Sequence, residues 1–177
     1  MMEEVVLVDQ KNNVVGYMEK MEAHEKGLLH RAFSIFIFNT NNELLLQQRA
    51  FSKYHSGGLW TNTCCSHPRK QEKFIDAANR RLIEEMGMSV ALEKAFSFIY
   101  KAHLDQDLIE HELDWVFIGR SDDLPQINKE EVASCKYINF QDLLIDVNDN
   151  PDIYTEWLKI CLNKVSQHII KTKYFEK

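Results

Sequence analysis

The chain has 177 residues, of which 45% are hydrophobic, 11% aromatic and 27% charged, a composition that excludes disordered, collagen-like and mucin-like classes. At roughly 150 residues per domain this length predicts one domain, residues 1–177, and 6 Gly and 3 Pro leave no linker. A net charge of −6 opposes a nonspecific grip on phosphate backbones, so nucleic acid is not an expected partner, while a few local cations or a metal still allow a small phosphorylated substrate.

The longest apolar stretch, Ala32–Phe38, is interrupted by Ser34 and falls far short of the ~20 residues that a spanning helix needs. Met1-Met2-Glu3-Glu4 is acidic where a signal peptide is basic. Both point to a cytoplasmic protein without a membrane partner. Cys64, Cys65, Cys135 and Cys161 are too few for a disulfide framework at this length, and free thiols are expected.

Glu4–Val8 and Val14–Lys20 flank turn formers at Asp9–Asn13 and predict a hairpin. Ala32–Phe38 and Leu44–Arg49, separated by Asn39-Thr40-Asn41-Asn42, predict a second. From Gln71 to Met86 the period changes to helical, with Phe74, Ala78 and Leu82 on one face and Gly87 as the C-cap. Strands are expected again at Ala95–Ala102, Leu113–Gly119 and Ser134–Asn139. A last helix is expected after Asn150-Pro151, carrying Ile153, Trp157, Cys161, Val165 and Ile169 at helical spacing. Strands, helix, strands and helix in one short chain predict an α+β fold, a mixed β-sheet packed between α-helices in an α/β/α sandwich.

Four groups of residues carry chemistry. In Thr61-Asn62-Thr63-Cys64-Cys65-Ser66-His67-Pro68, an extended backbone puts Cys65 and His67 on one face, a thiol beside an imidazole, although two small core cysteines and a loop histidine fit the same letters. Glu110-His111-Glu112 puts two carboxylates on one strand face, which repel unless a cation or a proton lies between them; a solvated strand edge is the plainer alternative. His24 and His30 are either surface loop residues or, with His67, Glu110 and Glu112, a nitrogen and oxygen set for Mn²⁺, Mg²⁺ or Zn²⁺. Lys20, Arg49, Lys53 and Arg81 are either surface ion-pair partners or the cations that gather round one diphosphate.

The helix region matches the Nudix box, G-x5-E-x7-R-E-U-x-E-E-x-G-U with U a bulky aliphatic residue, at Glu72, Arg80, Leu82, Glu84, Glu85, Gly87 and Met88. It departs at Ser66, in place of the leading Gly, and at Arg81, in place of the Glu after Arg80. In the hydrolases that Glu helps to hold Mg²⁺, so Arg81 removes a ligand and adds a cation. With T-N-T-C-C-S-H-P upstream and E-H-E downstream, the chain resembles, over about its whole length, the type I isopentenyl diphosphate isomerases, a Nudix-fold family that rearranges a diphosphate ester without hydrolysing it.

The resemblance implies a Nudix-type fold and isomerisation of isopentenyl diphosphate to dimethylallyl diphosphate in isoprenoid biosynthesis; the oligomeric state stays open between a monomer and a weak dimer. It implies one divalent metal on His24, His30, His67, Glu110 and Glu112. It implies a Mg²⁺ bound with the diphosphate, to which Glu85 and the main-chain carbonyl of Cys65 contribute. Lys20, Arg49, Lys53 and Arg81 match the positions that hold the diphosphate; Cys65, Glu112 and Tyr100 match those that transfer protons; Trp157 matches the aromatic that faces the hydrocarbon. Glu112 assisted by Tyr100 is expected to deliver the proton at C4, and Cys65, as a thiolate, to take the one at C2. No role is implied for Cys64, His55, His103, His111 or His168. The rival expectations are a Nudix hydrolase that uses Glu72, Glu84 and Glu85 with Mg²⁺, and a binding module without catalysis.

Overall fold

The computed structural model describes residues 3–176; Met1 and Met2, part of the acidic start, lie outside them, as does Lys177. β1 (Glu4–Val8) and β2 (Val14–Glu19) form the expected hairpin, closed by Asp9, whose Oδ1 accepts the N–H groups of Lys11 and Asn13. Lys20 does not belong to the strand as expected. It opens a short helix, α1 (Lys20–Lys26), in which the Glu19 side chain accepts the Glu22 N–H and Gly27 ends the helix at φ +60°. Seven residues are too few for helical periodicity to show in the sequence.

β3 (His30–Phe38) and β4 (Glu43–Arg49) correct the second expected hairpin. The turn at Asn39–Asn42 is present, but beyond Phe38–Leu44 the two strands part. β3 runs on between other strands, among them β6 (Cys64–Ser66), while β4 takes β5 (Trp60–Thr61) as one neighbour. The helix α2 spans Phe74–Met86 instead of Gln71–Met86, because Gln71 sits at φ +64° and Lys73 is extended.

β7 (Leu92–His103) and β8 (Ile109–Arg120) form an antiparallel pair longer at both ends than the sequence suggests, since the polar run Glu110-His111-Glu112 is inside the strand. β8 lies parallel to β3 from His30–Glu112 to Phe38–Arg120. β9 (Val132–Asn139) pairs with β4. An unexpected helix, α3 (Phe140–Asp149), follows at once, started by Asn139, whose Oδ1 accepts from Gln141 and Asp142. The last helix, α4 (Glu156–Thr172), begins later than expected, because Pro151–Ile153 closes a separate 3-10 turn that leaves Ile153 outside the helix. Trp157, Cys161, Val165 and Ile169 are buried at the expected spacing.

β3 shows why the layers form. Its alternate residues Phe33, Ile35 and Ile37 pack with Ala78, Leu82 and Met86 of α2, while Phe36 and Phe38 pack with Leu143 of α3 and Leu158 and Leu162 of α4. The mixed sheet is thereby covered by helices on both faces, and the α+β, α/β/α expectation holds. No helix among the described residues is long and apolar enough to cross a membrane.

Candidate active site

Three histidines from separate elements converge. His24 comes from α1, His30 from the first position of β3 and His67 from just after β6, with ring centroids 4.9, 5.0 and 5.5 Å apart. The parallel register places Glu112 of β8 beside His30. His24 Nδ1 lies 2.7 Å from the Lys20 carbonyl and His30 Nδ1 2.7 Å from the Leu28 carbonyl. A carbonyl only accepts, so in both rings Nδ1 carries the hydrogen and Nε2 keeps a lone pair. Both Nε2 atoms are buried and meet no hydrogen-bond partner.

His67 Nε2 lies 3.0 Å from Glu112 Oε1, and His30 Nε2 3.6 Å from the same oxygen. One potential ligand atom from each of His24, His30, His67 and Glu112 lies within 4.8 Å of the other three. Burial lowers the His24 imidazole to about 4 and also lowers His67, so both rings are held neutral, the form that binds metal. Burial acts to raise the Glu112 carboxyl, but the neighbouring imidazoles of His30 and His67, with His67 at hydrogen-bond distance, keep it well below the usual range. Orphaned imidazole nitrogens opposite an ionised carboxylate fit a divalent cation.

Glu110, expected as a fifth ligand, stands in the same wall but outside this group. Tyr100, which faces Glu112 across the β7–β8 ladder, places its hydroxyl 2.6 Å from Glu112 Oε2 and 2.9 Å from Glu110 Oε2, within hydrogen-bond reach of both. Burial and then the charge of Glu112 push the Glu110 carboxyl well up, while Glu112 is held down, so the two carboxyls are driven apart. Asp114 continues the column with a single hydrogen-bond partner among the described residues, the Ser34 hydroxyl at 2.9 Å; burial and Glu112 raise its carboxyl to about 8. The solvated-edge alternative is overturned, since Glu110, Glu112 and Asp114 are all buried.

The alternation predicted for the cysteine segment is present: Cys64 enters the core beside α2, while Cys65 and His67 line the pocket. Burial raises the Cys65 thiol, and Arg49 lowers it by less, so in the free site the protonated form is favoured over the thiolate expected to take the proton at C2. Trp157 meets the Arg49 guanidinium 5.0 Å from its ring centroid. All four expected cations line the same pocket, with Glu85, Tyr100 and Trp157. Of the expected site residues only His24 and His30 are absent from its lining.

The carboxylates of the hydrolase rival are engaged. Arg80 grips Glu72 at 2.7 and 2.9 Å, Arg80 and Arg81 share Glu84, and Arg81 Nη2 reaches Glu85 Oε1 at 2.5 Å. Glu85 Oε2 also accepts from the Gln47 amide at 2.9 Å.

Sequence reasoning missed His55, Tyr54, Gln47 and Glu131, all of which line the pocket. His55 is buried, with its ring 5.8 Å from Trp157 and 6.3 Å from His24, and burial and Arg49 lower its imidazole to about 3. The only available signal was its place two residues after Lys53.

A family profile described as NUDIX domain matches residues 28–158. Isopentenyl-diphosphate Delta-isomerase 2 of Aromatoleum aromaticum is 51% identical over 93% of this chain and 87% of its own length. The protein of the same name from Photorhabdus laumondii is 52% identical over 94% of each chain, and isopentenyl-diphosphate Delta-isomerase of Pectobacterium atrosepticum 49% over 93% and 92%. Among solved structures, a Deinococcus radiodurans protein superposes with a TM-score of 0.77 at 17% identity, covering 92% of this chain and 98% of that one, which shows the fold. A layered mixed sheet, a Nudix helix with Arg81 in place of an acid, and relatives near 50% identity over nearly the whole length agree: the chain belongs to the isopentenyl-diphosphate Delta-isomerase family, built on a NUDIX domain.

Proposed function

We propose that this enzyme interconverts isopentenyl diphosphate and dimethylallyl diphosphate through a tertiary carbocation, using the residues of this pocket. One observation carries the reading. A thiol and a hydrogen-bonded carboxyl pair, the groups needed to move a proton on and off carbon, line one buried pocket with four cations and a tryptophan.

Lys20, Arg49, Lys53 and Arg81 hold the diphosphate, Arg by forked hydrogen bonds and Lys by point charge. His24, His30, His67 and Glu112, with Glu110 beside them, hold one divalent metal; three imidazoles suit Mn²⁺ or Zn²⁺ and leave Mg²⁺ to the diphosphate, with Glu85 and the Cys65 carbonyl. When bound, the metal supplies positive charge that fixes the orientation of Glu112.

An unactivated alkene is a poor base, so protonation at C4 requires a strong and well-placed acid and little water. Glu112 is that acid, recharged from Glu110 through the Tyr100 hydroxyl that touches both. Cys65 takes the proton at C2. A free site with a Cys65 thiol and an ionised Glu112 is the state that the reverse reaction consumes. The forward reaction starts after a proton has passed to the carboxyl pair, and Arg49 beside Cys65 favours that transfer. The face of Trp157, which already meets a guanidinium, stabilises the cation at C3; such an attraction is worth about 2 kcal/mol when desolvated.

Proton and phosphorus NMR of the protein with isopentenyl diphosphate, Mg²⁺ and Mn²⁺ in D₂O tests this. Deuterated dimethylallyl diphosphate is expected, and none with Cys65→Ala. Release of inorganic phosphate or pyrophosphate would replace the reading with hydrolysis, and unchanged substrate would overturn it.

A further inference from the structure

Three of the four cations assigned to the diphosphate are already held by carboxylates. Lys20 pairs with Glu3 at 3.1 Å, Lys53 pairs with Glu131, and Arg81 meets Glu84, Glu85 and Glu131 at 2.8, 2.5 and 3.4 Å. Arg49 has no carboxylate partner among the described residues; it donates to the His55 carbonyl. Glu131 is the residue that stands out, because one carboxylate spans two cations of the substrate set and itself lines the pocket.

Its backbone is fixed from two sides. The Glu131 N–H donates to the Asn128 carbonyl at 3.0 Å, and the Asn128 N–H reaches the Glu85 carbonyl of α2 at 2.9 Å. The Glu131 carbonyl accepts from Ala50 at 3.0 Å, and Ala50 in turn accepts from the Lys53 N–H at 3.1 Å. The main chain therefore ties together the elements that carry Arg81 and Lys53 without help from the Glu131 side chain. That side chain is 24% exposed, so turning it toward water would carry little desolvation cost.

We propose that Glu131 is a placeholder for the substrate's diphosphate, holding Lys53 and Arg81 together in the free protein and yielding them when the diphosphate arrives. The inference rests on the diphosphate reading given above. A brace is a poorer account, since Arg81 keeps two closer carboxylates, Glu84 and Glu85, whether or not Glu131 is present. Two adjacent cations repel without an anion between them, and a carboxylate offers two oxygens in the manner of a phosphoryl group. Part of the binding energy of the diphosphate is then spent on displacing Glu131, which limits ground-state affinity without touching the reacting carbons.

The test is titration calorimetry with inorganic pyrophosphate and Mg²⁺ on wild type and Glu131→Gln, folding being checked by circular dichroism. Glu131→Gln keeps the shape and removes the charge. The expected result is pyrophosphate binding tighter by about two- to fivefold, the range for losing a part-exposed ion-pair competitor. KM for isopentenyl diphosphate should fall by a similar factor while kcat holds. In a Lys53→Gln background the gain should shrink.

Binding that is unchanged or weaker in Glu131→Gln overturns the inference, as does a gain undiminished by Lys53→Gln. Tighter pyrophosphate binding without any isomerisation by wild type would leave the inference standing and remove the isomerase reading. Isomerisation with weakened pyrophosphate binding in the variant would do the reverse.

Discussion

Glu112 joins the two halves of the site: one oxygen faces His67 and His30, the other takes the Tyr100 hydroxyl. Glu112→Gln retains the size of the side chain and loses the exchangeable proton. Turnover should fall by at least 10²-fold, the lower end for removal of a positioned acid, with little change in the far-ultraviolet dichroism spectrum. A variant within a few-fold of wild type would assign the proton to another group. Residues of this kind were legible because the chemistry limits the alphabet: Cys65 with His67, and Glu110 with Glu112, are short-range pairs whose alternation survives in the strands. His55 and Glu131 were not legible. A lone histidine or glutamate in a loop carries no periodic signal, and its role arises only when Trp157 or Arg81 is brought to it from elsewhere in the chain.

Among the elements, α2 sets one end of the pocket, since Arg81 and Glu85 line it from this helix and its C-terminal carbonyls are tied down. Gln126 N–H donates to the Met86 carbonyl at 2.8 Å and Asn128 N–H to that of Glu85 at 2.9 Å. Gly87 makes this possible at φ +63°, with a Cβ there falling 2.6 Å from the Gln126 carbonyl oxygen. Gly87→Ala combines a left-handed backbone with a clash against main chain, and should cost about 2–4 kcal/mol. Gly16→Ala, where the nearest side-chain atom lies at 3.8 Å and φ is not positive, should cost far less. Urea denaturation of the two variants compares them, and equal losses would remove the close approach as the cause. Gly87 and the face of Phe74, Ala78 and Leu82 made α2 the clearest element in the sequence. α1 and α3 were hidden for different reasons, the first by its seven residues and the second because Phe140 and Leu143 continue directly from a strand without a break. The corner between β3 and β4 was hidden because local turn chemistry is the same whether two strands stay paired or part to meet β8 and β9.

For the whole molecule, the buried column Glu110, Glu112 and Asp114 links folding to pH. Asp114 makes the cleanest case, as Ser34 is its one hydrogen-bond partner among the described residues and burial, followed by the charge of Glu112, raises its carboxyl to about 8. Unfolded, it titrates near the ordinary aspartate value of about 3.9. A folded-state value above the unfolded one means that the folded chain binds the extra proton between those limits. The stability this contributes is complete below the unfolded value and is lost as pH rises toward 8, at about 1.4 kcal/mol per pH unit. His24 and His55 act in the opposite sense: their folded values of about 4 and about 3 lie below the ordinary one, so their contribution is lost as pH falls below about 6.5. A single pH profile therefore mixes opposing slopes, and the comparison must be made between variants. Asp114→Asn keeps an acceptor for Ser34 and has no proton to lose, while the histidines titrate alike in both proteins. With a chelator present, the stability of wild type relative to Asp114→Asn should fall by roughly 3 kcal/mol between pH 5 and pH 7 in urea denaturation. Parallel profiles for the two proteins would mean that Asp114 is ionised in the fold, and the carboxyl column would then carry a charge that some other group must balance.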